Sequence, residues 1–301
     1  MANEVYVVTG ATGNIGFRVV ERLVAAKQKV RAIARKVDKL RPLSSKGVEA
    51  FPATLDDTGS ITRAFTGAKA VFTMIPPNPS SPAFRAFQNK ISQVFSASIV
   101  GAGVRTVVNL SSVGAHQGTK MGPVNGLYDH EQRLNKLEGV NVLHLRPTYF
   151  MENHLSGVEM IKKMGIYGTP IKEDLPFSMI ATTDIAAEAA ERLLKMDFAG
   201  KQVKELLGPK DYSMKEITRI IGEVMGKVDL KYQQFPFEEA QKAMIGMGLS
   251  VDIAGQYIEL MKSINDKTFK PTEPRSAKNT TPTTFEEFAK AAFPTPAKKG
   301  K

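Results

Sequence analysis

The sequence predicts an α/β protein: a doubly wound parallel sheet with a smaller, mostly helical lobe toward the C-terminal end. Two observations carry this. Over the first 150 residues, short apolar runs alternate with stretches of helical apolar spacing. The first run stops at the glycine-rich segment Thr9-Gly10-Ala11-Thr12-Gly13-Asn14-Ile15-Gly16, where the first helical stretch begins. Such alternation implies parallel strands joined by right-handed crossovers, helices on both faces, and a ligand crevice at the C-terminal strand ends.

Val5-Tyr6-Val7-Val8 reads as a buried strand, because four apolar residues end at a Thr-Gly turn. Ile15, Val19, Val20, Leu23 and Val24 then fall on one helical face over residues 14–26. Val30 to Ala34 and Val48 to Ala53 are the second and third strands. Ser60 to Phe65 is a short helix, capped from Asp57 or Thr58. Ala70 to Ile75 is a fourth strand, stopped by Pro76-Pro77. A long helix over 82–102 closes at Gly101-Ala102-Gly103, and Val104 to Leu110 is the fifth strand. A helix over 127–138 and a sixth strand, Val140 to Leu145, complete the region.

Beyond Tyr149 the alternation loosens. Helices are expected over 155–168, 184–196 (capped by Asp184), 213–226, 237–265 and 284–292. The expected organisation is a nucleotide-binding region at 1–150, a smaller lobe interleaved with it at 151–293, and a frayed basic tail at 294–301 holding Lys298, Lys299 and Lys301.

Composition narrows the function. With 301 residues the chain can bury a sizeable core without crosslinks. It has no cysteine, which excludes disulfides, thiolate metal sites and thiol nucleophiles. Its four histidines, His116, His130, His144 and His154, do not form an HxxxH or HExxH pair, so no metal is expected. The net charge of +11 is spread along the chain rather than interleaved with aromatics, so no nucleic acid partner is expected. No apolar run has the roughly 18 residues of a membrane span, and the start lacks a signal-peptide pattern, so a cytoplasmic protein is expected. No exposed apolar helix pair stands out, which leaves the oligomeric state open.

The glycine segment is a TGxxGxxG loop in the required strand–turn–helix context, which suits a dinucleotide pyrophosphate. Gly10 permits the tight turn, Gly13 close approach of the backbone to a pyrophosphate, and Gly16 close helix–strand packing. The helix N-terminus then offers free N–H groups and its positive dipole end. At the end of the second strand, where a carboxylate would bind the ribose 2′-hydroxyl of NAD, stand Arg35 and Lys36, with Lys39 one turn on. Two cations suit a 2′-phosphate, so NADP(H) is favoured over NAD(H).

The TGATGNIG loop, Arg35-Lys36, the segment Leu145-Arg146-Pro147-Thr148-Tyr149-Phe150-Met151-Glu152-Asn153 and Thr182-Thr183-Asp184-Ile185-Ala186 resemble the NmrA-like atypical short-chain dehydrogenase/reductases. The segment from Asn279 to Phe288 resembles the tail of bacterial members, and the likeness spans roughly residues 4–293. The resemblance implies an NAD(P)-binding Rossmann sheet with a small substrate lobe. Some members reduce quinones, dyes or phenylpropanoids, and others act as redox sensors or co-regulators. It implies that the backbone of Ala11, Thr12, Gly13, Asn14, Ile15 and Gly16 holds the pyrophosphate and that Arg35 and Lys36 hold the 2′-phosphate. Met74, Ile75 and Pro76 would line the ribose, and Ser111 and Ser112 would lie near the nicotinamide. Tyr149, Phe150 and Asn153 would line the nicotinamide or substrate pocket.

Two departures stand out. Where the family often has an Asp near adenine, the chain has Thr54. Ordinary short-chain dehydrogenases use a Tyr-x-x-x-Lys pair, the lysine lowering the tyrosine pKa for acid catalysis. Here Tyr128 is followed by Gln132, and the lysine that isoflavone-reductase-like relatives place four residues before a helix Glu is Leu127, before Glu131. Tyr128 is the candidate proton donor, with His130, His116 and Tyr149 as alternatives; its ordinary reading is a packing residue. Two functions are therefore expected to compete. One is an NADPH-dependent reductase of a quinone, aldehyde or similar small apolar acceptor. The other is a non-catalytic NADP(H)-binding redox sensor.

Overall fold

The computed structural model describes residues 4–44 and 46–295. In chain order the first elements are β1 (Val5–Val8), α1 (Asn14–Ala25), β2 (Lys29–Ala34), the one-turn α2 (Arg41–Ser44), β3 (Glu49–Pro52), α3 (Thr58–Phe65) and β4 (Ala68–Thr73). Then come α4 (Phe84–Gly101), β5 (Thr106–Leu110), α5 (Asn125–Asn135), β6 (Asn141–Pro147), β7 (Tyr149–Phe150), α6 (Val158–Met164), β8 (Ile166–Thr169) and β9 (Phe177–Ile180). The remainder is α7 (Thr182–Lys195), β10 (Lys201–Leu206), β11 (Asp211–Tyr212), α8 (Met214–Val224), β12 (Lys231–Gln234), α9 (Phe237–Gly246), α10 (Val251–Asn265) and α11 (Phe285–Ala292).

The main sheet has seven parallel strands in the order β10-β6-β5-β4-β1-β2-β3, the doubly wound arrangement. On one face α1 and α7 bury Val19, Leu23, Ile185 and Leu193 against Val8 and Phe72. On the other, α3 and α4 bury Ile61, Phe65, Ile91 and Phe95 against Val7, Val71 and Val107. Each such side chain contributes about 1.5–3 kcal/mol on burial. A third core lies under the lobe, where Met151, Tyr167, Phe177, Tyr212 and Phe285 pack together. Small pairings knit this lobe: β11 and β7 flank β9, and β12 pairs with β8.

Capping chemistry sets several boundaries. The Asp57 carboxylate accepts from the Ser60 N–H at 3.3 Å and starts α3. Ser213 with Glu216, and Thr284 with Glu287, form reciprocal capping boxes at α8 and α11.

Besides adding the short strands β7, β9, β11 and β12 to a lobe read as helical, the structure differs from the sequence reading in four places. The helix expected over 155–168 stops at Met164, because Gly165 turns left-handed at φ 69°, and the chain continues as β8. The helix expected over 237–265 is two, α9 and α10, with a fresh cap from Ser250 whose Oγ accepts from the Ile253 N–H at 3.1 Å. Asp184 does not cap α7. Its carboxylate accepts from the backbone and hydroxyl of Thr283 at 3.0 and 2.7 Å, and Glu152 takes the Thr182 N–H at 3.0 Å instead. Finally, the sheet has a seventh strand, β10, whose sequence Lys-Gln-Val-Lys-Glu-Leu is too polar to read as buried. It is an edge strand paired with β6 alone, so only its last residues are buried. Of the basic tail expected at 294–301, residues 296–301, with all three of its lysines, lie outside the described residues. Among the described residues, no helix is long and apolar enough to cross a membrane.

Candidate active site

The carboxyl ends of β1, β2, β4, β5 and β6 bring the sequence-expected positions to one edge of the sheet. Gly10 follows β1 at φ 62°, and a Cβ there would lie 2.4 Å from the Met74 sulfur. A Cβ at Gly16 would lie 2.3 Å from the Gly10 carbonyl oxygen, so helix and loop touch through backbone. Gly13 is the N-cap of α1, with no side-chain cap and no acidic residue in the first turn. Thr12, Gly13 and Asn14 are exposed, whereas Ala11 and Ile15 are buried. The Gly13 N–H donates to the Gly10 carbonyl at 2.9 Å, and a helix start without a side-chain cap suits an anion.

The loop is latched to its neighbour. The buried Thr9 hydroxyl donates to the Phe72 carbonyl at 3.2 Å and accepts from the Met74 N–H at 2.9 Å. Sequence reasoning did not single out Thr9, although its place between strand and first glycine is the available signal. Met74, Ile75 and Pro76 follow β4 directly, with Ile75 buried and the other two half-buried. Arg35 and Lys36 leave the end of β2 exposed, and neither makes an ion pair among the described residues. Thr54, two residues past β3, is exposed and hydrogen-bonds the Asp56 carboxylate, one of the influences that lower the Asp56 pKa after its bond to Lys90.

Beyond β5 the chemistry changes. Ser111 is buried, and its hydroxyl donates to Glu131 Oε1 at 2.5 Å. Arg146, near the end of β6, grips the same carboxylate through Nε at 2.9 Å and Nη2 at 2.5 Å. Glu131 is 1% exposed and Arg146 9%. Ser112 instead bonds the Val113 carbonyl at 2.9 Å. The Arg146–Glu131 pair was missed from the sequence. The signal for it is the strand register: Leu110 pairs with Leu145, so the next residues, Ser111 and Arg146, stand side by side.

Tyr128 lies one turn before Glu131 on α5, half-buried, with its ring against Gly118 and no hydrogen bond to any described residue. Of the alternatives, His116 is exposed, and His130 is buried against Ser92 at 2.7 Å. Burial lowers His130 to about 3, His144 to about 4 and His154 to about 3. Tyr149 is edge-on to Phe177, with ring centroids 5.5 Å apart. Burial pushes its pKa up to about 12, against a hydrogen bond from the exposed Asn153. Phe150 is half-buried against the α1–α7 core.

Helix α10 closes over this end of the sheet. Its Asp252 accepts from the Phe84 N–H at 2.8 Å, and its Glu259 from the Gly122 N–H at 2.9 Å. A cavity of about 810 Å³ opens between α10 and the 117–121 loop, lined by Gln117, Lys120, Gln256 and Lys262 among others.

A family model described as NmrA-like matches residues 2–289. The chain belongs to the NmrA-like family. As a member, it resembles an NAD(P)H azoreductase of Xenophilus azovorans, 28% identical over 94% of this chain and 96% of that protein. It also resembles quinone oxidoreductase 2 of Escherichia coli, 27% identical over 82% of this chain and 83% of that protein. Among solved structures, the triphenylmethane reductase of Citrobacter sp., complexed with NADP(H), superposes with a TM-score of 0.80 at 20% identity. That match covers 96% of this chain and 99% of the other.

Proposed function

We propose that the chain is an NADPH-dependent oxidoreductase that reduces a quinone, aldehyde or similar small apolar acceptor by hydride transfer. The observation that carries the reading is the helix start at Gly13, free of a side-chain cap, beside two exposed cations without ion partners among the described residues, Arg35 and Lys36, at the end of the adjacent strand. The azoreductase and quinone oxidoreductase relatives support the same chemistry.

In this reading the backbone of residues 10–16 holds the pyrophosphate, and the two cations the 2′-phosphate, which favours NADPH over NADH. Thr54 lies toward adenine, Met74, Ile75 and Pro76 toward the ribose, and Ser111, Tyr149, Phe150 and Asn153 toward the nicotinamide. When bound, the dihydronicotinamide supplies the hydride. Tyr128 is the phenol assigned to protonating the product. The partner is a small molecule, with no nucleic acid or membrane in the reaction. The setting is cytoplasmic, with which a chain free of cysteine is compatible.

One observation favours a second reading, a non-catalytic NADP(H) sensor: Tyr128 has Gln132 in place of the activating lysine. NADPH oxidation against benzoquinones, naphthoquinones and aldehydes, paired with NADPH and NADH titrations, separates the two. Turnover supports the reductase. Tight binding without turnover across the panel overturns it in favour of the sensor.

A further inference from the structure

The Ser111 hydroxyl has one proton, and the structure commits it. Its oxygen donates to Glu131 Oε1 at 2.5 Å, inside a site where all three partners are buried. Glu131 cannot turn away, because Arg146 holds both of its oxygens in a planar fork. Ser111 thus stands at the crevice end of β5 with only lone pairs left to offer.

Of Tyr128, the buried histidines and Tyr149, none is a prepared acid. Tyr128 is near Glu131 in sequence but has neither the lysine nor, among the described residues, a hydrogen-bond partner. The buried histidines are held neutral, and burial makes Tyr149 a weaker acid than free tyrosine.

We propose that the Arg146–Glu131 pair is a positioning device that turns Ser111 into a fixed acceptor, so hydride transfer proceeds before any proton reaches the acceptor oxygen. This rests on the reductase reading and narrows its substrate class. The acceptor takes up one hydride, which carries both electrons, the cofactor is left oxidised, and the negative charge stays on the acceptor oxygen until a proton arrives from solvent. Quinones carry that charge as a delocalised phenolate. An isolated aldehyde must carry it as an alkoxide, which an acid would normally relieve at the transition state, a contribution of about a hundredfold or more. The favoured substrates are therefore quinones and comparably conjugated acceptors.

The first test needs no cofactor. In the apo protein, NMR is expected to show the Ser111 hydroxyl proton in slow exchange with water, assigned by its loss in Ser111→Ala. A hydroxyl exchanging freely with water overturns the proposal. The second test uses 4-deuterated NADPH to confirm that hydride transfer limits the rate, and then compares rates in H2O and D2O. Rates are expected to be equal in the two solvents and to fall steeply along an acceptor series as the pKa of the reduced acceptor rises. A clear slowing in D2O, or a flat dependence on that pKa, overturns the proposal while leaving the reductase standing. Absence of turnover with every acceptor overturns the reductase reading and this one with it, whereas the hydroxyl measurement still reports Ser111 separately.

Discussion

Gly16 and Gly10 touch through backbone alone: a Cβ at Gly16 would sit 2.3 Å from the Gly10 carbonyl oxygen. Gly16→Ala therefore forces helix α1 away from the loop rather than displacing a flexible side chain. The expected cost is about 1–3 kcal/mol of stability, as for other overpacked sites. NADPH affinity is expected to fall at least tenfold, because the N–H groups of the helix start move with α1. Thermal melting and a fluorescence titration of NADPH check the two effects separately.

In the proposed reading, Arg35 carries the choice between the two nicotinamide cofactors. A hydrogen bond to a charged group contributes about 1.5–3 kcal/mol. Arg35→Ala should then weaken NADPH by about tenfold to a hundredfold, at 1.4 kcal/mol per factor of ten. NADH, which lacks the 2′-phosphate, should bind as before. Equal losses for both cofactors would remove the 2′-phosphate from Arg35.

Glu131→Leu leaves Arg146 buried without its counter-ion. Breaking a buried pair in this way costs about 3–5 kcal/mol. Ser111→Ala keeps both Arg146 bonds to Glu131 and should cost far less. Urea denaturation of the two variants gives the ordering, and similar losses would mean that the ion pair contributes little.

Stability should fall below about pH 6.5, before most carboxylates titrate. His130, His144 and His154 are buried and neutral, with pKa values lowered to about 3, 4 and 3, chiefly by burial. In the unfolded chain each takes up a proton near pH 6.5. The unfolded state then binds more protons than the native one, so the stabilisation is fully present above pH 6.5 and is lost as pH falls toward 3–4. Each histidine contributes a slope of order 1 kcal/mol per pH unit. Urea midpoints measured at pH 7, 6 and 5 should drop at each step, and a flat series would mean that the rings find proton partners in the fold.

Much of the sheet was legible because its signals are local. Val5–Val8 stops at Gly10, Asp57 caps α3, and α1 keeps its apolar face through Leu23, all within a few residues. The polar edge strand β10 was not legible, since its hydrogen bonds to β6 depend on residues some sixty positions away. A separation of thirty residues likewise hid Glu152, which accepts the Thr182 N–H at the start of α7 where Asp184 was expected to cap. At the candidate site, the glycine loop and Arg35 stand out in the sequence as motifs. The Ser111–Glu131–Arg146 network was not, because it joins a strand end, a helix and a second strand, and only the β5–β6 register aligns them.

The return of the chain across β10 has a consequence for how copies of the protein meet. A strand at the rim of a sheet exposes unpaired peptide groups that can recruit a foreign strand. Here the carboxyl end of that rim is occupied from within. Leu207 bridges Thr280, and Glu205 receives the backbone N–H groups of Thr272 and Glu273 at 2.8–3.0 Å. At the opposite rim β3 ends in Pro52, which has no N–H to donate. The sheet thus carries its own protection against strand-by-strand aggregation at both borders, and loosening the segment around Thr272 would uncover one of them.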